Sequence, residues 1–93
     1  MPNKNIIKIR KKLDKLDILF LNLIKKRTKL VDEVLKNKKK KSEIIDQKRI
    51  KIILKKISLK SKARSIDPVI TNRIWKSMIR AFIDYEFRNF KKK

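Results

Sequence analysis

Two cations stand on the apolar face of a long predicted helix, and their position suggests a site for an anion. Apolar residues recur there at steps of three and four, the spacing of one helix face: Ile9, Leu13, Leu16, Phe20, Leu23, Leu30 and Val34. Arg27 and Lys38 occupy positions of the same spacing. Burying a cation is costly unless an anion meets it, so the sequence predicts that an anion reaches this face.

A carboxylate holds a comparable position near the end of the sequence. Glu86 follows Trp75 by 11 residues, which is three helical turns, and so shares the apolar face of another predicted helix. Between these two helices, Asp46 and Arg49 lie on the same helix face as Ile50. Together with the two cations, these charges form a candidate site.

Arg10 lies on a different face of the first helix. Arg10 and Arg27 are 17 positions apart, which places them about 100° apart around the helix, so the two cannot face one pocket of the same chain. Arg10 can instead reach the pocket of a partner chain. Two arginines and a lysine in an apolar cleft suit a small dicarboxylate, because Arg binds carboxylates with two parallel hydrogen bonds and Lys adds a point charge.

A buried network of ion pairs is the alternative for the same residues. It would set Arg27 against Glu86, and Arg10 against Asp14 one turn away. The protein would then be a helical dimer without activity, in which Arg27→Ala only destabilises the fold. The candidate cations outnumber the candidate anions, which favours an external anion.

The composition excludes several classes of catalyst. The sequence has no histidine, cysteine or glycine, which removes the usual general base, thiolate nucleophiles and metal sites, and glycine-rich phosphate loops. We therefore expect no metal and no cofactor. Catalysis by this chain would depend on electrostatics, hydrogen bonding and positioning of the substrate.

The net charge of +21 raises nucleic-acid binding as another alternative. Lysine outnumbers arginine 23 to 7, and the lysines are spread over every predicted face instead of one stripe, which disfavours that role. The sequence has neither the pattern of a secretory signal nor a segment long enough to span a membrane. We expect a cytoplasmic protein without a membrane partner.

The pattern predicts an all-α fold with one long and two shorter helices in a single domain over residues 1–93. The predicted helices cover these ranges: Ile6 to Lys38, Gln47 to Lys62, and Asp67 to Phe90. Residues 1–5 are predicted to be a disordered lead, and Lys38–Ser42 a mobile basic loop. Asp46 and Asp67 are the predicted N-caps, the latter followed by Pro68.

The length of the first helix predicts a dimer. At ~1.5 Å per residue it is on the order of 45–50 Å long. A compact domain of this size has a radius of gyration of only ~13 Å. One chain cannot cover such a helix, so we predict an intertwined homodimer.

The order of these motifs resembles the all-helical, type II chorismate mutases over residues 6–90. Residues 9–17 read Ile-Arg-Lys-Lys-Leu-Asp-Lys-Leu-Asp, similar to the family's opening of an apolar residue, Arg, and two Asp residues that each follow an apolar one. The later matches follow in the family's order: residues 23–31 with Arg27, then Lys38, Asp46 to Arg49, Asp67-Pro68 and Glu86.

The resemblance implies an intertwined dimer with two active sites that converts chorismate to prephenate without a cofactor. It implies that Arg27, and Arg10 from the partner chain, bind the two carboxylates of the substrate. Lys38 would bind a carboxylate and the ether oxygen. Arg49 would add positive potential, and Asp46 would lie near the ring hydroxyl.

Glu86 matches a family position that is Gln or Glu and that hydrogen-bonds the ether oxygen. The reaction is a pericyclic rearrangement, so the enzyme must hold the compact conformer and stabilise negative charge on that oxygen. A carboxyl can donate a hydrogen bond only when protonated. We therefore expect turnover to fall as rising pH removes the proton from Glu86.

Three features resemble the related isochorismate pyruvate-lyase branch instead. Ile50 replaces a Glu that holds the substrate hydroxyl in the mutases, Phe82 replaces a small hydroxyl residue, and the loop before Asp46 is slightly shorter. That branch makes salicylate and pyruvate on the same fold. Asp46 and Glu86 fit the mutase better, which is our first interpretation. The sequence leaves the identity of the catalytic lysine within Lys38–Lys41 open by one position.

Overall fold

A computed structural model of the chain describes residues 3–91, and over these residues it confirms the predicted all-α class. Its elements are three α-helices and a one-turn 3-10 helix: α1 Lys4–Lys36, the 3-10 helix Lys41–Glu43, α2 Gln47–Ala63 and α3 Pro68–Asn89. The predicted ends of the helices differ from these by two residues at most, and the start of α2 at Gln47 is as predicted. No helix in the described part of the chain is long and apolar enough to cross a membrane.

The first helix begins earlier than predicted. The Oδ1 of Asn3 accepts a hydrogen bond from the Ile6 amide at 2.9 Å, and the chain is helical from Lys4 onward. The side chain of Asn3 thus satisfies one of the free amides at the start of the helix. The predicted disordered lead was therefore wrong for residues 4 and 5, and Met1 and Pro2 lie outside the described residues.

The same helix ends before Lys38. Its last α-helical residue is Lys36. The amide of Asn37 donates to the Val34 carbonyl at 3.0 Å, and that of Lys38 donates to the Leu35 carbonyl at 3.1 Å. Each of these bonds joins residues three apart, instead of the four of an α-helix, so the chain tightens into a turn. Lys38 therefore follows the helix instead of ending it.

The chain divides into two units, and the boundary falls inside α1 between Val31 and Asp32. The first unit is the part of α1 before that boundary. Its apolar stripe is exposed, with Phe20 keeping 55% and Leu23 60% of the accessible surface. The burial that the sequence predicts for this stripe is not provided by a single chain.

The second unit contains the packing of α2 against α3. Apolar residues of both helices are half-buried there: Ile50, Ile53, Leu54 and Ile57 from α2, and Trp75, Met78, Ile79, Phe82 and Ile83 from α3. Val69, Ile70 and Ile74, at the start of the apolar stripe of α3, are exposed. Leu35 and Ile44 are buried, and so is Glu86, the carboxylate predicted on the apolar face of α3. The second unit thus holds a small core with a charge inside it.

Two aspartates cap the shorter helices, as predicted. The Oδ1 of Asp46 accepts from the Arg49 amide at 3.0 Å, and that of Asp67 accepts from the Val69 amide at 2.9 Å. Each satisfies an amide that the helix leaves unpaired. Pro68 follows Asp67 as the first residue of α3, where its missing amide hydrogen is not needed.

The turn after α2 uses a serine where glycine is usual. Ser65 has a φ of 57°, the left-handed region that closes helices in the Schellman motif. The Ser65 amide donates to the Lys62 carbonyl at 3.1 Å, and the Ile66 amide to the Ser61 carbonyl at 2.9 Å. A chain without glycine thus closes α2 and turns into α3 by this motif.

Candidate active site

The ion pair between Lys38 and Glu86 is the centre of the candidate site. The Nζ of Lys38 lies 2.9 Å from Glu86 Oε1 and also donates to the Ile44 carbonyl at 3.4 Å. The two side chains keep 19% and 9% of their accessible surface. Electrostatic interactions are stronger in such a partly dry environment than at the open surface. The pair joins the turn after α1 to the C-terminal half of α3.

The loop that carries Lys38 is folded around a carboxylate. Glu43 Oε2 accepts hydrogen bonds from the amides of Lys39 and Lys40, and Ile44 next to it is buried. Lys39, Lys40 and Lys41 are exposed, whereas Lys38 is half-buried. The geometry therefore selects Lys38 as the lysine of this loop that meets Glu86. Glu43 gives the successive lysine amides an acceptor, and residues 41–43 form the 3-10 helix.

Replacing Glu43 with glutamine is expected to loosen this loop. The amides of Lys40 and Lys39 lower the pKa of the Glu43 carboxyl from its ordinary value of 4.5, because they stabilise the ionised form. A lowered native pKa stabilises the fold above the ordinary value, and this contribution is lost as the pH falls through the lowered pKa. Glu43→Gln should reduce the hydrogen-exchange protection of those two amides at neutral pH.

The control for that measurement is Glu33→Gln, which removes an exposed carboxylate on α1. It should leave the protection of the two loop amides unchanged. In the wild-type chain, their protection should decline on acidification below the ordinary carboxyl pKa, and in Glu43→Gln this decline should be absent. Equal protection in wild type and Glu43→Gln would contradict the role given to the carboxylate.

An open cleft of about 520 Å³ lies beside Lys38. It is lined by Lys38, Ser42, Glu43, Ile45, Asp46, Gln47 and Lys48. The structure thus brings Asp46 to the same cleft as Lys38, although Asp46 Oδ1 is engaged in capping α2. Two ammonium groups and the hydroxyl of Ser42 can hold a small anion here.

Arg49 and Ile50 follow directly in α2, and their surroundings differ. Arg49 is exposed. Ile50 is half-buried and lines a second cleft of about 450 Å³. Most of its lining is apolar: Ile45, Ile50, Leu54, Ile79, Ile83 and Phe87, with Gln47, Lys76, Arg80 and Asp84 completing it. The side chain of Ile50 thus contributes apolar surface and no hydrogen bond.

Tyr85, directly before Glu86, contacts an aromatic ring and a carboxylate. The rings of Phe82 and Tyr85 meet edge to face, with centroids 6.4 Å apart and planes at 84°. The Tyr85 hydroxyl donates to Asp32 Oδ1 at 2.7 Å. This hydrogen bond, followed by burial, raises the pKa of Tyr85 above its ordinary value of 10.0. No local pattern could indicate a pair 53 residues apart.

The two arginines predicted to hold carboxylates lie in the first unit. Arg10 is exposed, and Arg27 is half-buried. Lys38, Asp46, Arg49, Ile50, Phe82 and Glu86 all lie in the second unit. Within residues 3–91 there is no group of three or more histidine, cysteine, aspartate or glutamate residues that could hold a metal ion.

The comparison with protein families supplies a match over most of the chain. The model of the chorismate mutase type II family matches residues 9–87, a range that includes every candidate site residue. Comparisons with curated proteins and with solved structures gave no significant match. The family match and the all-helical fold agree, and the chain belongs to the type II chorismate mutase family.

Proposed function

We propose that this chain is a chorismate mutase, which rearranges chorismate to prephenate. The Lys38–Glu86 pair carries the proposal, since it holds a half-buried cation against a buried carboxyl in a member of this family. In the reaction the C–O ether bond breaks while a C–C bond forms, and no proton is transferred. A chain without histidine or cysteine can therefore perform it.

Lys38 and Glu86 act on the ether oxygen. Negative charge develops on this oxygen as its bond to carbon breaks, and the ammonium of Lys38 stabilises that charge. Glu86, 2.9 Å from the ammonium, donates a hydrogen bond to the same oxygen when it is protonated. The rest of the barrier is lowered by holding the substrate in its compact conformer.

The remaining charges bind the substrate. Arg27 and Arg10 of the partner subunit hold the two carboxylates, and Arg49 adds positive potential. The planar fork of arginine suits carboxylates, which supports these roles. Asp46 lies near the ring hydroxyl, and its place in the cleft beside Lys38 supports that assignment.

A direct assay tests the function. Purified protein is mixed with chorismate and, in a separate reaction, with isochorismate, and the products are identified. Prephenate from chorismate is the expected result. A chain that converts neither compound would overturn the proposal.

An isochorismate pyruvate-lyase is the second candidate. Ile50 lines an apolar cleft, and Phe82 packs against Tyr85 where mutases have a small hydroxyl residue, so the hydroxyl of the mutase substrate lacks one polar partner. Salicylate and pyruvate from isochorismate, without prephenate from chorismate, would select this activity.

We further propose that the active protein is a homodimer in which α1 of one subunit covers the other. The stripe on α1 from Ile9 to Val34 keeps about half of its surface in the single chain, for example 52% at Leu13 and 51% at Leu16. Continuous apolar surface of this length favours association with a second copy. The dimer also brings Arg10 to the partner's site.

Mixing two inactive variants is expected to restore activity if Arg10 acts in the partner's site. Arg10→Ala and Arg27→Ala each damage both sites of a homodimer. A heterodimer of the two has one site with both defects and one intact site. Random assortment makes half of the dimers mixed, so co-refolding equal amounts should recover about one quarter of wild-type activity.

The matched control mixes Arg27→Ala with Lys38→Ala. One chain contributes both of these residues to the same site, so every site in the mixed dimer carries one defect and no recovery is expected. Recovery in this control, or none in the Arg10 mixture, would contradict the donation of Arg10 across the dimer. Sedimentation equilibrium checks the mass of the assembly in each sample.

A further inference from the structure

A second side-chain link joins the same parts of the chain as the ion pair of the candidate site. The Tyr85 hydroxyl donates to Asp32 Oδ1 at 2.7 Å. Asp32 lies near the C-terminal end of α1, six residues before Lys38, and Tyr85 directly precedes Glu86 in α3. One link therefore starts in the last turns of α1 and the other in the turn that follows this helix, and both end on neighbouring residues of α3.

The surroundings of this link make it a defined contact. Asp32 and Tyr85 are both half-buried. Asp32 lines a cleft of about 310 Å³ with residues from the ends of both helices: Leu35, Lys36, Asn89, Phe90 and Lys91. Because the pKa of Tyr85 is raised, chiefly by this hydrogen bond, the phenol remains a donor throughout the neutral range.

Two links on neighbouring residues restrain a helix more than one link does. Successive residues of a helix project about 100° apart, so tethers on two neighbouring residues act in different directions. The second tether adds to the packing of α2 against α3 and limits rotation of α3 about its axis more than the ion pair alone. The edge of Phe82 against the Tyr85 ring fixes a third side chain one turn earlier.

We propose that Asp32 and Tyr85 are positioning residues, whose hydrogen bond fixes the rotation of α3 and so holds the Glu86 carboxyl opposite Lys38. The inference rests on the proposed function, because the purpose of that alignment is the shared action of Lys38 and Glu86 on one oxygen. Displacing a catalytic group by about 1 Å can lower the rate by on the order of 10²-fold. The bond acts on turnover through Glu86 and touches no substrate.

Tyr85→Phe tests this role while keeping the ring and its contact with Phe82. We expect kcat for chorismate to fall roughly tenfold with KM nearly unchanged, since the carboxylate-binding arginines are not affected. Asp32→Leu should give the same loss in kcat. The double variant of Asp32→Leu with Tyr85→Phe should have a kcat no lower than either single variant, because both remove the same hydrogen bond. Asp32→Asn should retain most of the activity, because its amide oxygen still accepts the phenol hydrogen.

Asn89→Ala is the control for a lost hydrogen bond in the same turn of α3. Its side chain donates to the Tyr85 carbonyl at 2.8 Å and is exposed, so kcat should stay close to wild type. A Tyr85→Phe variant with wild-type kcat, or with a change in KM alone, would overturn the inference. So would an Asp32→Asn variant as defective as Asp32→Leu.

A second readout does not depend on activity. The sequence has three glutamates, so a chain labelled with ¹³C-glutamate gives few carboxyl resonances. Tyr85→Phe should shift or broaden the signal of Glu86 and leave those of Glu33 and Glu43 in place. If the Glu86 signal is unmoved in Tyr85→Phe, the positioning role is overturned. If the signal shifts but the wild-type chain does not convert chorismate, the proposed function alone is overturned.

Discussion

Replacing Lys38 with alanine is expected to lower kcat/KM for chorismate by on the order of 10³-fold. The ammonium contacts Glu86 at 2.9 Å and keeps only 19% of its side-chain surface, so water cannot fully take its place. Under the proposed mechanism it both binds a carboxylate and stabilises charge on the ether oxygen. The loss should therefore appear in KM and in kcat, measured by following the decay of chorismate absorbance.

Neighbouring lysines provide matched controls for this effect. Lys39→Ala and Lys41→Ala remove the same charge from the same loop, but both side chains are exposed. Exposed charges are well screened, so each should change kcat/KM by no more than about twofold at physiological salt. A loss in Lys41→Ala as large as that in Lys38→Ala would show that the loop acts through its total charge.

Lys38→Ala also leaves the buried carboxyl of Glu86 without its cation, and unfolding could mimic a catalytic loss. The double variant Lys38→Ala with Glu86→Gln removes this complication, because an amide carries no charge to bury. We expect the double variant to melt at nearly the wild-type temperature and to remain inactive. Recovery of activity together with stability would mean that Lys38 only holds the fold.

Features encoded within one helix could be predicted from the sequence. The face occupied by Glu86 follows from its distance to Trp75 along α3, and the structure buries it there. The caps at Asp46 and Asp67 follow from residue type next to an apolar run, and both hydrogen bonds are present. Such features depend on neighbours a few residues apart, which the sequence displays directly.

Features that join distant segments could not be predicted in this way. The helical spacing that points to Lys38 does not apply beyond the end of α1 at Lys36. Lys38 differs from the three exposed lysines that follow it by its pairing with Glu86, 48 residues away. The contact of Tyr85 with Asp32 has the same character. Burial also depends on assembly. The apolar stripe that includes Phe20 is predicted to be buried from its spacing, but it is exposed in the single chain.

Replacing Glu86 with glutamine is expected to raise kcat for chorismate. In the free protein Glu86 lies against the Lys38 ammonium, and the ionised carboxyl offers only acceptors to the substrate. The ether oxygen needs a donor as its charge develops, and an ionised carboxyl cannot supply one. A glutamine amide always offers a donor, so Glu86→Gln should exceed wild type in kcat by roughly tenfold.

The control is Asp84→Asn, which neutralises an exposed carboxylate two residues away on α3. It makes the same change in net charge, so a general electrostatic effect would raise both variants, whereas a donor effect raises Glu86→Gln alone. Measuring kcat at saturating chorismate separates the bound complex from substrate capture. Equal kcat in Glu86→Gln and in wild type would mean that Lys38 alone acts on the ether oxygen. A raised kcat in Glu86→Gln beside an unchanged kcat in Asp84→Asn would assign the donor to position 86, where the carboxyl lies 2.9 Å from the Lys38 ammonium.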